Sequence, residues 1–391
     1  MSGQDREPTL EDKRVTTSKP GATTLSSLLA EIRARRSEFV VAQKIPDDII
    51  DGFKRLGVYR AMVARRFGGE ERTPAEFCRM IERISEADGS AGWVASFGSA
   101  ACYLAALPIE TLRSIYANGP DVVYAGGLFP LQSAKRCTDG FIVNGVWQFG
   151  SGSSGADLIG VGITVEGDST EGLPRVAVMP ADKVTIRSNW DVIGLQGTGS
   201  HELVVRDVVV PEEWTLIRGG RTSLDAAIYR YPSVAFAAQV LAIVGIGIAR
   251  SALDDVIAMA RSRPSITGAP VMADRGYIQL EIARAEAMLR SARSFFYEAT
   301  EELWNEALNG AANLTTVMLM RLAATNAARC SAEVAKIACG LGGTKSVYAT
   351  HNLAGAMCDS FVVAQHAFLS EGTLQSAGRL LLGLPAQPGF P

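Results

Sequence analysis

Histidine is the scarcest residue with acid–base chemistry near neutral pH: His201, His351 and His366 are the three present in 391 residues. So few, so far apart, give no metal-ligand cluster. The six cysteines, Cys78, Cys102, Cys137, Cys330, Cys339 and Cys358, contain no C-x-x-C pair. Neither a metal knuckle nor a disulfide framework is expected, and the thiols should be reduced, mostly buried, and in a cytoplasmic setting. Lysine and arginine total 38 against 41 acids and are spread along the chain, which gives no electrostatic footprint for nucleic acid or a membrane surface. The polar residues 1–22 lack the apolar core of a secretory signal. The apolar run Val234–Ala249 is short and broken by glycine, and reads as a buried helix rather than a membrane span. We find no nicotinamide-binding fingerprint such as G-x-G-x-x-G after a strand.

What is present changes period twice. From residue 23 to 120 the apolar spacing is three and four, as in LSSLLAEIRARRSEFVVAQ, and predicts helices. Thr73 followed by Pro74 is a helix start, and Gly57 a helix end. From 121 to 222 the runs are short and β-rich, such as FIVNGVWQF and HELVVRDVVVP, with Asp139-Gly140 as a hairpin turn. From 223 to 391 the pattern is helical again, with two runs long enough for a four-helix bundle. The expected fold is thus α+β: a polar leader, an N-terminal helical domain, a central antiparallel β-domain and a C-terminal bundle.

One stretch stands out, GVWQFGSGSSGADL at residues 145–158. It has too much glycine and serine for an ordinary hairpin and no lysine for a phosphate loop. Three further stretches fall in order around it. FKRLGVYRAMVARRFGGEERTPAEFCRMIERISEADGSAGW precedes it, and WDVIGLQGTGSHELVVRDVVVPEEW and CGLGGTKSVY follow. Together they resemble the acyl-CoA dehydrogenase superfamily over nearly the whole chain. The GVWQFGSGSSGADL stretch looks more like the two-component flavin monooxygenases of that fold.

The resemblance implies reduced FMN or FAD, delivered by a separate flavin reductase, with O2 as co-substrate and a small aromatic or heteroaromatic molecule as substrate. It also implies a homotetramer built through the C-terminal helices. Trp147 would stack beside the flavin, the glycines, Gly150 among them, would allow close backbone approach, and Phe149 would lie with them. Ser151 or Ser153 would hydrogen-bond N5 or O4 and steady a C4a-hydroperoxide. Tyr124, Gly127, Leu128 and Ser133 fall at the first flavin-contacting loop, Thr198 in the GTGS turn, and Gly342 and Gly343 where relatives approach a dinucleotide. Arg261, Arg263 and Gln279 match contacts to a flavin phosphate across a subunit interface. Phe97, Tyr103 and Phe368 are pocket candidates, with Ala100 standing where the family carries a histidine.

His366, seven residues after Asp359 in CDSFVVAQHAF, is the candidate base; the arginine usual before that aspartate is Cys358. His201 reads as a loop residue, and His351 as a cap on the glycine-rich helix end before it. Glu371, in SEGTLQ, matches the catalytic glutamate of acyl-CoA dehydrogenases, so an FAD-dependent acyl thioester oxidation stands as an alternative. A catalytically silent paralogue is a third.

Overall fold

The computed structural model describes residues 24–167, 174–262, 270–310 and 312–387. The leader 1–22 and Arg263 lie outside them. Six helices open the chain: α1 (Leu25–Ala42), α2 (Asp47–Leu56), α3 (Pro74–Ala87), α4 (Gly89–Ser96), α5 (Ala101–Leu104) and α6 (Ile109–Ile115). Their starts are written locally. Thr73 accepts from the Glu76 N–H while the Glu76 carboxylate accepts from the Thr73 N–H, a reciprocal cap with Pro74 in the first turn. The run from α4 to α5 is not one helix. Residues Phe97–Ala100 form a 3₁₀ turn, where a Cβ on Gly98 would stand 2.5 Å from the Val58 carbonyl. The break sets Phe97 and Tyr103 against the central domain.

That domain is one sheet of β1 (Tyr124–Cys137), β2 (Gly140–Gly150), β3 (Leu158–Val165), β4 (Arg175–Pro180), β5 (Thr185–Arg187), β6 (His201–Val210) and β7 (Thr215–Ile217). The spatial order is β5-β6-β2-β1-β3-β4-β7. The hairpin turn is Thr138–Asp139, and Gly140 is already paired with Cys137. Every pairing is antiparallel except β1 with β3, which is parallel. After β2 the chain crosses back to the start of β1 and lays β3 along its other side. GSGSSG at 150–155 has the G-x-G-x-x-G spacing. It opens a 3₁₀ turn at Ser153–Gly155 and runs on into β3, so no strand-to-helix phosphate cradle forms.

The C-terminal part holds α7 (Ala227–Arg230), α8 (Ser233–Ser262), α9 (Gly276–Leu308), α10 (Leu314–Gly342), α11 (Asn352–Ala364) and α12 (Glu371–Leu381). Helix α8 packs on α10, α11 and α3. It is the one described helix long and apolar enough to cross a membrane, and most of it is buried inside the bundle. Two apolar cores result. The larger joins both helical parts. The smaller, with Phe141, Val143, Trp147 and Leu203, lies within the sheet. All six cysteines are free thiols.

Candidate active site

Between the sheet, α4–α5, the first half of α8 and the turn after α11 lies a cavity of about 560 Å³. Its walls are largely apolar and aromatic. Among the described lining residues there is no aspartate or glutamate, and the charged side chain is Arg218. No group of three or more histidine, cysteine or acidic residues placed to hold a metal occurs among the described residues.

Serine and threonine hydroxyls line one wall. The Trp93 Nε1–H donates to Ser151 Oγ at 3.2 Å. Ser151 and Ser200 share a bond of 2.6 Å, Ser200 and Thr198 one of 2.7 Å, and Thr198 donates to the Leu195 carbonyl at 2.8 Å. Each hydroxyl has one proton. Because Thr198 spends its own on a carbonyl, Ser200 must donate to Thr198, and Ser151 to Ser200. Ser151 therefore meets the cavity as an acceptor with one lone pair to spare. The loop bearing Thr198 and Ser200 is tied to α11, where half-buried Asp359 accepts the Leu195 N–H at 2.6 Å. Burial and the nearby Asp88 push the Asp359 carboxyl up to about 7.

His366 caps the short turn Ala367–Leu369, its Nδ1 accepting the Phe368 N–H at 3.2 Å. That bond puts the ring proton on Nε2. The ring packs against Trp93 and Phe368, with centroids at 5.8 Å and 5.2 Å. Part of its surface faces the cavity rather than bulk water, so burial pushes the imidazole down to about 4. At neutral pH His366 is an uncharged N–H donor. Acting as a base through Nε2 would require its proton to move to Nδ1 and the Phe368 bond to be given up. His201 and His351 are held the same way, by the N–H groups of Asn189 and Leu353. His351 caps the start of α11 rather than the end of α10, because its Nδ1 lies over the following turn.

The cavity gathers Tyr124, Gly127 and Leu128 from β1 and Phe149 from the end of β2, with Ser151 and Thr198 beyond it. Phe97, Tyr103, His366 and Phe368 also line it. Other expected residues stand elsewhere. Trp147 is fully buried in the sheet core, its Nε1–H donating to the Gly162 carbonyl at 2.8 Å, so its ring cannot stack beside a ligand in the cavity. Gly150 pairs with His201 in the sheet. Ser133 is exposed and pairs with Thr164. Ser153 and Ala100 are buried outside the lining. Gly342 ends α10 and Gly343 follows it, both outside the cavity. Glu371 starts α12 in solvent, 3.5 Å from Arg329, because the turn that His366 caps leads the chain out of the cavity before reaching it. Arg261 and Gln279 lie near the facing ends of α8 and α9.

Several lining residues carried no sequence signal of their own. Ser200 was legible as part of GTGS and Trp93 as part of the AD-S-W passage. Trp190, edge-on to Phe149 at 6.1 Å, and Arg218 after β7 were reachable only through tertiary structure.

Residues 239–371 match the family described as acyl-CoA dehydrogenase, C-terminal domain. Over 359 residues the chain is 53% identical to an indole-3-acetate monooxygenase of Pseudomonas putida, covering 92% of each protein. It is 30% identical over 203 residues to the flavin-dependent monooxygenase oxygenase subunit HsaA of Rhodococcus jostii strain RHA1, covering 52% of this chain and 53% of that one. The crystal structure of 3-HSA hydroxylase from Rhodococcus sp. RHA1 has the same fold, with a TM-score of 0.86 at 23% identity, over 93% of this chain and 97% of that one. The chain belongs to the flavin-dependent monooxygenase branch of the acyl-CoA dehydrogenase superfamily, and it is a flavin-dependent oxidoreductase.

Proposed function

We propose that this protein is the oxygenase component of a two-component system. It takes reduced FMN or FAD from a separate reductase and uses O2 to oxygenate a small aromatic or heteroaromatic molecule in the cavity. The C4a-hydroperoxide expected from the resemblance, a homotetramer and a cytoplasmic location belong to the same reading. The observation that carries it is the Ser151 wall: a hydroxyl held by Trp93 and Ser200, in a cavity lined largely by aromatic and apolar groups.

The residues present suit a flavin. Phe129 and Phe149 are 58% and 64% exposed at the cavity, and a flat ring system would cover them. Ser151 has a lone pair to accept an N–H, which a reduced flavin ring carries. When bound, the flavin supplies the activation of oxygen. The chain's own part is to orient and to keep water out. Ser151 accepts, uncharged His366 donates, and the aromatic walls exclude water. Among the described residues no carboxylate lines the cavity to serve as base for an acyl thioester, and Glu371 stands in solvent outside it.

The test is an anaerobic titration with reduced FMN and, in parallel, reduced FAD, followed by oxygen and indole-3-acetate, the substrate for which the Pseudomonas putida relative is named. An oxygenated indole product, formed only with reduced flavin and O2, is expected. Binding of neither reduced flavin, or stoichiometric peroxide with every aromatic tried, would overturn the reading.

A further inference from the structure

Arg218 is 8% exposed and lines the cavity, yet it has no acidic partner among the described residues. Its guanidinium lies over the Tyr103 ring at 4.1 Å, and one Nη1–H reaches Ser233 Oγ at 3.3 Å. The groups that raise its basicity are Tyr103, Tyr124 and Cys102, while burial lowers it. Burial pushes all three of those groups up, so none is an anion at neutral pH. Arginine nevertheless keeps its charge. A buried, uncompensated cation is costly to the fold. Its remaining N–H groups are not among the buried polar atoms left without a partner, so they keep accessible surface on a residue that lines the cavity.

We propose that Arg218 is the anion anchor of this cavity, and that the substrate is an aromatic molecule bearing a carboxylate that docks on the Arg218 fork. This rests on the aromatic-oxygenation reading above. Stacking on Tyr103 fixes the guanidinium plane, and a fixed fork matches a planar carboxylate with two parallel bonds. Tyr103 and Tyr124, edge-to-face at 5.5 Å, flank the charge and leave room for a flat ring beside it. With no acid among the described lining residues, a bound carboxylate offsets the charge of Arg218. A neutral aromatic would leave Arg218 unpaired, so the site selects the acid over its amide by what the amide fails to satisfy.

The test compares indole-3-acetate with indole-3-acetamide, which differ in the charge that Arg218 would meet. Binding is read from the fluorescence of the two lining tryptophans, Trp93 and Trp190, without flavin or oxygen, so this arm needs no turnover. The wild type is expected to bind the acid about 100-fold more tightly than the amide, the scale of losing one partner of a buried charge pair. Arg218→Gln should abolish that preference, leaving amide affinity within about 3-fold. Arg218→Lys, a point charge without the fork, should fall between. In turnover, the same ratio should appear in KM for the acid, with the affinity for reduced FMN unchanged. Equal wild-type binding of acid and amide would overturn the proposal. So would equal loss of both in Arg218→Gln together with a lowered Tm, which marks a structural role, or a loss confined to reduced FMN, which assigns Arg218 to the flavin phosphate. Acid preference without any oxygenated product would leave the anchor standing and sink the monooxygenase reading instead.

Discussion

Trp147 and Phe149 stand two positions apart in β2, where an unbroken pleat would put them on one face. They share nothing else. Trp147 is 0% exposed in the sheet core, and Phe149 is 64% exposed at the cavity. The cause lies in the backbone between them. The β2–β6 register slips between Trp147 and Gly150, and Phe149 has a φ of +62°, a left-handed conformation that an aromatic residue adopts only where the fold imposes it. A bulge of this kind re-aims side chains next to functional sites. Upstream of it β2 builds a core, and downstream it builds a binding wall.

The largest effect that separates the two regions is on stability. Trp147→Ala should cost about 3–5 kcal/mol, the range for emptying a large core position, measured by chemical denaturation. Trp147→Phe should cost about 1–3 kcal/mol, because the Gly162 carbonyl loses its donor. Neither should change ligand affinity in the fraction that remains folded. A Trp147→Phe protein of full stability that fails to bind reduced flavin would return Trp147 to the site.

A smaller effect is expected on the cavity side. Gly160 faces Tyr124, and a Cβ there would lie 1.9 Å from the Tyr124 phenol oxygen. Gly160→Ala should push that phenol into the cavity, weakening aromatic ligands while costing about 1–3 kcal/mol of stability through overpacking. Ser151→Ala should hold stability to within about 1.5 kcal/mol, since a single buried hydrogen-bonded group is removed. Product formed per reduced flavin consumed should fall about tenfold or more, the rest leaving as peroxide. Unchanged coupling in Ser151→Ala would mean that the lone pair of Ser151 meets no ligand. Phe149→Ala should be nearly silent in stability, within about 0.5 kcal/mol as for other exposed positions, and should weaken reduced-flavin binding several-fold through the lost ring contact.

The same contrast explains which features could be read from the sequence. Helix caps and the two long bundle helices are local patterns, so Thr73-Pro74 and the periodic runs of α9 and α10 sufficed for them. The β-rich run FIVNGVWQF is local in the same sense, and it forms β2. The resemblance, not the strand pattern, placed Trp147 beside the flavin, since a glycine-rich run with tryptophan looks alike whether the ring faces a ligand or the interior. The bulge, the 3₁₀ break at Phe97–Ala100 and the proton order of the hydroxyl relay depend on neighbours far away in sequence, such as Val58 for Gly98 and Ser151 for Trp93. Arg218 is the clearest case. An arginine after a short strand is unremarkable until its surroundings prove to hold no acid among the described residues. The parallel β1–β3 pairing likewise follows from where the chain returns, which no local period records.

The effects of the two titrating groups at the cavity, His366 in its lining and Asp359 behind the Leu195 loop, depend on pH and have opposite signs. Burial holds the His366 imidazole down at about 4 in the folded protein, against about 6.5 when unfolded. The unfolded chain therefore binds more protons in that interval, and stability from this group is full above about pH 6.5 and is lost as pH falls toward 4. Asp359 is held up at about 7, against about 3.9 unfolded. Here the folded chain binds more protons, so stability from this group is full below about pH 4 and is lost as pH rises through 7. His366→Gln should gain on the wild type as pH falls from 6.5 to 4, and Asp359→Asn should gain as pH rises from 4 to 7. Thermal melts across that range read both differences directly. If the His366→Gln difference is flat with pH, His366 titrates as an ordinary surface imidazole, and the cavity is wetter than its aromatic walls indicate. If the Asp359→Asn difference is flat, the carboxylate that holds the Leu195 loop is already ionised at pH 5, and the hydroxyl relay beside it sits next to a fixed negative charge.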